Sequence, residues 1–127
     1  MLGMHFNKLL IWQRSMALTK TIYMLSKDFP KDEQFGLTSQ MRRAAVSVPS
    51  NISEGSQRGS NRDFANFILI ARGSLAELLT QVLLCKEISL LQDVHSLVGE
   101  IEEISRMLHA FHSKLKTHNS KLSPHNS

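Results

Sequence analysis

Between residues 34 and 76 every basic side chain is an arginine: Arg42, Arg43, Arg58, Arg62 and Arg72, set against two acids, Glu54 and Asp63. A planar guanidinium makes two parallel hydrogen bonds to a phosphate or carboxylate and stacks on flat rings. The chemistry these five residues suit is recognition of phosphate groups on RNA or DNA. A rival use is structural. Glu54 and Arg58 stand four apart and can pair across a turn, while Arg42 or Arg43 can lock onto the six acids carried by residues 77–105, in the same chain or a neighbouring copy. Aromatic residues are only 6% of the chain and most fall in core stripes, so stacking on bases has little to work with. Any nucleic-acid contact is expected at the phosphates, with weak sequence preference.

Other reactive side chains form no catalytic pattern. His109 and His112 are three apart with no carboxylate or cysteine beside them, and the six histidines gather near the termini, so surface histidines are expected rather than metal ligands. The lone cysteine, Cys85, excludes an internal disulfide and lies in an apolar stripe, where a thiol acts as a small hydrophobe. Gly55, Gly59 and Gly73 are too scattered for a phosphate-cradling loop. The expectation is a protein that is not an enzyme, with no cofactor, no metal and no catalytic residue.

The elements that carry the arginines are helices. Glycine and proline are scarce and apolar residues recur at three and four. A first helix is expected from Leu10 to Lys27, with Ile11, Leu18, Ile22, Leu25 and Phe29 inward and Pro30 ending it. A second spans Asp32 to Glu54 on Leu37, Met41, Ala44, Ala45, Val48 and Ile52, with Gly55 as a left-handed cap. Ser60 and Asp63 read as the start of a third, whose stripe runs Phe64, Ile68, Ala71, Leu75, Leu78, Val82, Cys85. Asp93 caps a fourth, inward on Val94, Leu97, Ile101, Ile104, Leu108, Phe111 and Leu115. Two sustained heptads imply helices crossing at about 20°. The fold class is therefore all-α, an up-and-down antiparallel four-helix bundle occupying residues 1–116, with a disordered tail at 117–127. Met1 or Met4 could serve as the start.

The chain of 127 residues carries a net charge of +4 and a 42% apolar composition, enough to fold as one domain. The longest apolar stretch, Phe64 to Leu91, is interrupted by Arg72, Glu77 and Lys86, so no membrane span is expected. The N-terminus lacks a secretory pattern, and a cytoplasmic location is expected. The third helix nonetheless holds more apolar residues than one seam uses: Phe67, Leu69, Ile70, Ala76, Leu79, Leu83 and Leu84. Surplus of that width implies burial on a second side, and so a homo-oligomer, the plainer alternative being the central helix of a monomer.

Pro49 falls inside the second helix, where it removes one hydrogen bond and crowds the Ala45 carbonyl. A kink is expected, with Ser47, Ser50 and Asn51 as local donors to the freed carbonyl. The surrounding string, Phe35-Gly36-Leu37-Thr38-Ser39-Gln40-Met41-Arg42-Arg43-Ala44-Ala45-Val46-Ser47-Val48-Pro49-Ser50-Asn51-Ile52-Ser53-Glu54-Gly55, closely resembles the 23S rRNA intervening-sequence (four-helix-bundle) protein family. The likeness begins at Leu9-Leu10-Ile11-Trp12-Gln13 and Phe29-Pro30, continues through Phe64, Phe67 and Gly73-Ser74-Leu75-Ala76-Glu77-Leu78 with Gln81, and covers roughly residues 5 to 115. Ser53, where alanine is usual, and Ser56-Gln57 after Gly55 are the mild departures. The resemblance marks Pro49, Asn51, Glu54 and Gly55 as a structural motif and implies a homopentamer. It also implies kinship with the accessory variability protein of diversity-generating retroelements, and hence RNA or DNA and a reverse-transcriptase-like protein as partners. The alternative is an interaction scaffold with no nucleic-acid ligand.

Overall fold

The computed structural model describes residues 5–122, and the expectations for residues 1–4 and 123–127 lie outside it. Four α-helices account for nearly all of it: α1 (Leu10–Ser26), α2 (Leu37–Ser56), α3 (Asn61–Glu87) and α4 (His95–Leu122), with single 3-10 turns at Phe6–Lys8 and Lys31–Glu33. The described residues contain no strand. α3 packs against both α2 and α4, and α1 closes the bundle against α2 and α4. At 1.5 Å per residue α3 is about 40 Å long. The fourth helix continues to Leu122, past the tail boundary expected at 117.

The stripes on α2 and α3 form the core as their spacing dictates. Phe64, Ile68, Ala71, Leu75, Leu78, Val82 and Cys85 are all buried, facing Met41, Ala44, Ala45, Val48 and Ile52 across the seam. The Phe64 ring meets Phe111 of α4 edge-on, centroids 5.2 Å apart. On α1 the stripe differs from expectation. Leu25 is exposed, and the buried positions are Ile11, Ser15, Leu18, Ile22 and Ser26. Each buried serine hydroxyl donates to the carbonyl one turn back, Ser15 to Ile11 at 2.6 Å and Ser26 to Ile22 at 2.7 Å. A serine that satisfies itself in this way can occupy a core position, so polarity misled the pattern.

The start of α2 is corrected from Asp32 to Leu37. Gly36 takes φ −107°, ψ −110°, which interrupts the helix, and Glu33 Oε1 accepts from the Leu37 amide at 3.3 Å to cap the new start. Gly55 is likewise not a left-handed cap. It lies buried inside α2, and the positive-φ glycine of the α2–α3 turn is Gly59, at φ +91°. Gly55 is there for closeness: a Cβ would stand 2.6 Å from Phe67 Cβ and 2.9 Å from Phe64 Cδ1. Ser60 caps α3 as expected, its Oγ accepting from the Asp63 amide at 3.1 Å. Asp93 Oδ1 accepts from the His95 amide at 3.0 Å ahead of α4.

α2 runs through Pro49 as one helix from Leu37 to Ser56. The Ala45 carbonyl, which has no N–H from Pro49 to meet it, lies 3.0 Å from Thr19 Oγ1 of α1, whose single proton is shared with the Ser15 carbonyl at 2.8 Å. The donor comes from the neighbouring helix, not from the local residues. Ser47 Oγ is paired with Ser74 Oγ of α3 at 2.8 Å, and Asn51 Nδ2 donates to Ser47 O at 2.8 Å and Ser47 Oγ at 2.9 Å. Asn51 thus ties a polar knot into the α2–α3 seam.

Candidate nucleic-acid interface

The five arginines divide by what already holds them. Arg42 donates from Nε to Ser26 Oγ at 2.8 Å and from Nη2 to the Tyr23 carbonyl at 3.3 Å, with its guanidinium 4.6 Å from the centre of the Tyr23 ring. A cation over the last carbonyls of α1 is favoured by the helix dipole. Arg42 therefore closes the C-terminus of α1. Arg58 donates to Glu54 Oε2 at 2.9 Å and lies 4.8 Å from the Phe67 ring centre, so the expected pairing of Glu54 with Arg58 is present. Both side chains are about half exposed, which limits such a pair to a fraction of a kcal/mol.

Arg43 and Arg62 are exposed and make no hydrogen bond or ion pair among the described residues. Arg72 is half-buried, and its Nε is hidden from solvent without an acceptor. The structure does not gather the arginines at one end of the bundle. From Arg43 to the end of α2 is about 20 Å of helix, so Arg42 and Arg43 stand near the α1 C-terminus, while Arg58 and Arg62 flank the α2–α3 turn. Neither Arg42 nor Arg43 reaches the acidic segment. That contact belongs to Arg14, which the sequence did not single out. Its Nε meets Glu100 Oε2 at 3.0 Å and Nη1 approaches Met107 Sδ at 3.5 Å. The hydrogen bond to Glu100 outweighs burial and raises the Arg14 pKa. Only the geometry of the α1–α4 contact distinguishes Arg14 from the other bases.

The remaining candidates behave as structural residues. The Cys85 thiol is fully buried, 3.4 Å from Met41 Sδ, and burial, with a lesser push from Glu33, raises its pKa to about 11. His109 is exposed and His112 half-buried on α4. No group of three histidine, cysteine or carboxylate side chains is placed to hold a metal among the described residues. On the opposite side of α3 from its core, Leu69, Ile70, Leu83, Leu84 and Ile88 are exposed. A Cβ at Gly73, amid them, would meet nothing within 4 Å. α3 is long and apolar enough to cross a membrane by length and composition, but one face of it is the core of the bundle, and a core helix passes the same test.

A family model for the 23S rRNA-intervening sequence protein matches residues 7–110. The chain belongs to this family. The match takes in α1, α2, α3 and most of α4, and with them all five arginines. Among solved structures the chain is similar to a protein of unknown function from the S23 ribosomal protein family of Bacteroides thetaiotaomicron, determined at 1.70 Å. The two are 22% identical and superpose with a TM-score of 0.71, over 80% of this chain and 96% of the other. At that identity the likeness establishes the shared bundle. No curated protein matches the chain.

Proposed function

We propose that this member of the 23S rRNA-intervening sequence family is a non-enzymatic, cytoplasmic homo-oligomer, a pentamer by family resemblance, that presents arginines to the phosphates of RNA or DNA. The observation that carries the phosphate reading is the unpaired state of Arg43, Arg62 and Arg72 in a chain with eleven acids to choose from. Exposed arginines that are solvated by water and have no internal pair can meet a phosphate without first breaking a contact of their own chain. Arg58, held by an exposed carboxylate, can exchange Glu54 for a phosphate at small cost. The apolar outer face of α3 supports self-association, because a contiguous exposed apolar surface on a helix is favourable to bury. A ring of copies would multiply each weak phosphate contact. A reverse-transcriptase-like protein is the kind of partner such an accessory bundle would serve.

A second reading is a scaffold whose charges organise only its own assembly. The internal duties of Arg42 and Arg58 favour it. The two separate in one experiment, titration of labelled single- and double-stranded RNA and DNA at several salt concentrations with wild type and Arg58→Glu/Arg62→Glu. Phosphate recognition predicts log affinity falling with log salt by about 0.7 to 0.9 per contact. It also predicts weaker binding by the variant on all sequences with the oligomer intact. Absence of wild-type binding at low salt, or dissolution of the assembly by the variant, favours the scaffold.

A further inference from the structure

Two helix faces of the bundle are apolar and uncovered, and they point away from each other. Among the described residues α1 and α3 do not touch; each packs on α2 and α4, so the two stand at diagonal corners. On α3 the outward side carries Leu69 and Leu83 along one edge and Ile70 and Leu84 along the other, all about half exposed. Between the edges run Gly73, with open space above it, and Thr80, whose hydroxyl donates to its own Ala76 carbonyl at 3.0 Å. Small residues between large ones leave a shallow trough. On α1 the outward side carries Leu10, Met16, Ala17, Tyr23 and Met24, all exposed. The Thr21 hydroxyl likewise donates to the Ala17 carbonyl, at 3.1 Å, so neither threonine needs a polar partner.

The two faces also differ in charge. α1 holds no acid, its Arg14 is bound to Glu100, and its exposed charge is Lys20, one turn from both Ala17 and Met24. On α3 from Leu69 to Ile88, the charges that fall outward by helical period are Glu77, one turn from both Gly73 and Thr80, and Glu87. Lys20, Glu77 and Glu87 form no ion pair among the described residues. Two copies related by a two-fold axis through α3 would cover that trough and leave the α1 face bare. A head-to-tail contact covers both faces with one kind of interface and brings a lysine to a glutamate.

We propose that the outward face of α1 in one copy seats in the α3 trough of the next, and that this contact, repeated head to tail, closes the homo-oligomer into a ring. The proposal rests on the self-association reading above and names the surface that covers α3. Gly73 lets the neighbouring helix approach closely, and the unbranched side chains of Met16 and Met24 adapt to the space between the leucine and isoleucine edges. Lys20 and the two glutamates set the orientation of the contact more than its strength. Every copy gives one face and receives one. An open row of copies would leave an α1 face bare at one end and an α3 face bare at the other, so closure is what removes both from water.

The test mixes two variants of the full chain, each broken on one face at exposed positions: Leu69→Glu/Leu84→Glu on α3 and Met16→Glu/Met24→Glu on α1. Far-UV circular dichroism checks that both stay helical; where a glutamate pair unfolds the chain, serine at the same two positions replaces it. Each variant alone is expected to sediment as a single chain of 14.4 kDa. The equimolar mixture at submillimolar concentration is expected to give a species of two chains and no larger one, because one variant keeps an intact α1 face and the other an intact α3 face. With one variant isotope-labelled, the amide signals that move are those of α3 in the α1 variant and those of α1 in the α3 variant. An α1 variant that keeps the wild-type mass overturns the proposal while leaving self-association through α3 standing. A mixture in which both variants stay monomeric, with no amide signal moved, overturns it as well. A wild-type chain that is itself monomeric overturns the self-association reading first and the proposal with it, so the two failures are told apart.

Discussion

The two sides of α3 use similar residue types to opposite ends. Inward, toward α2, close fits and hydrogen bonds prevail: Gly55 lets Phe64 and Phe67 approach and Ser74 is bonded to Ser47, while Thr38 Oγ1 of α2 is a buried polar atom with no partner. Outward, Leu69, Ile70, Leu83 and Leu84 are exposed, Gly73 has open space above it, and Arg72 keeps an unmet donor. A glycine on the inner side is explained by contacts within the chain, while one on the outer side is not. Residues that internal packing does not explain are where the function is to be sought.

The two glycines give the sharpest way to break that contrast. Gly55→Ala forces a methyl against Phe67 and Phe64, and overpacking of that kind should cost about 3 kcal/mol; urea unfolding measures it. Gly73→Ala meets nothing in its own chain and should raise helix stability by up to about 1 kcal/mol. Equal losses at both positions would erase the distinction between the two sides.

Next in size is the Thr19 bridge. Thr19→Val removes the hydroxyl proton that the Ala45 carbonyl shares with the Ser15 carbonyl, at a cost of about 1 kcal/mol. Pro49→Ala restores an N–H at the right place, so Thr19→Val should cost less in that background, and a double-mutant cycle of denaturation midpoints reads the coupling. Independent, additive losses would mean that Thr19 does not stand in for the missing amide.

The α2 and α3 stripes were legible because both helices are buried along a regular seam, and there period alone decides the inward residues. Ser15 and Ser26 were hidden because a hydroxyl that bonds to its own helix is polar in sequence and nonpolar in effect. Gly55 carried an ambiguous signal, since the residue type that suits a left-handed cap also suits a close approach. The arginines were visible as a set, but their division into engaged and unengaged was not. Whether a guanidinium finds Ser26, Glu54 or nothing depends on contacts between helices, and sequence spacing does not reveal those.

A smaller effect concerns Cys85 on the inner side. Its thiol has a pKa of about 11 in the fold against 9.0 ordinarily, so the folded state favours the protonated form. The resulting stability is complete below pH 9 and is lost as pH rises from 9 through about 11. Denaturant midpoints for wild type should fall across that window more steeply than for Cys85→Ala. Equal slopes would remove the thiol from the account. The smallest expected effect is at Arg14. Its pair with Glu100 is a third exposed on each side, so Arg14→Ala should cost about 1 kcal/mol or less at moderate salt.

The central claim is that the outer face of α3 belongs to an assembly, and sedimentation equilibrium at micromolar concentration tests it most directly. The predicted mass for wild type is about 72 kDa, five times the 14.4 kDa chain, while Leu69→Glu/Leu84→Glu sediments as a helical monomer. A wild-type mass of 14.4 kDa would contradict the account.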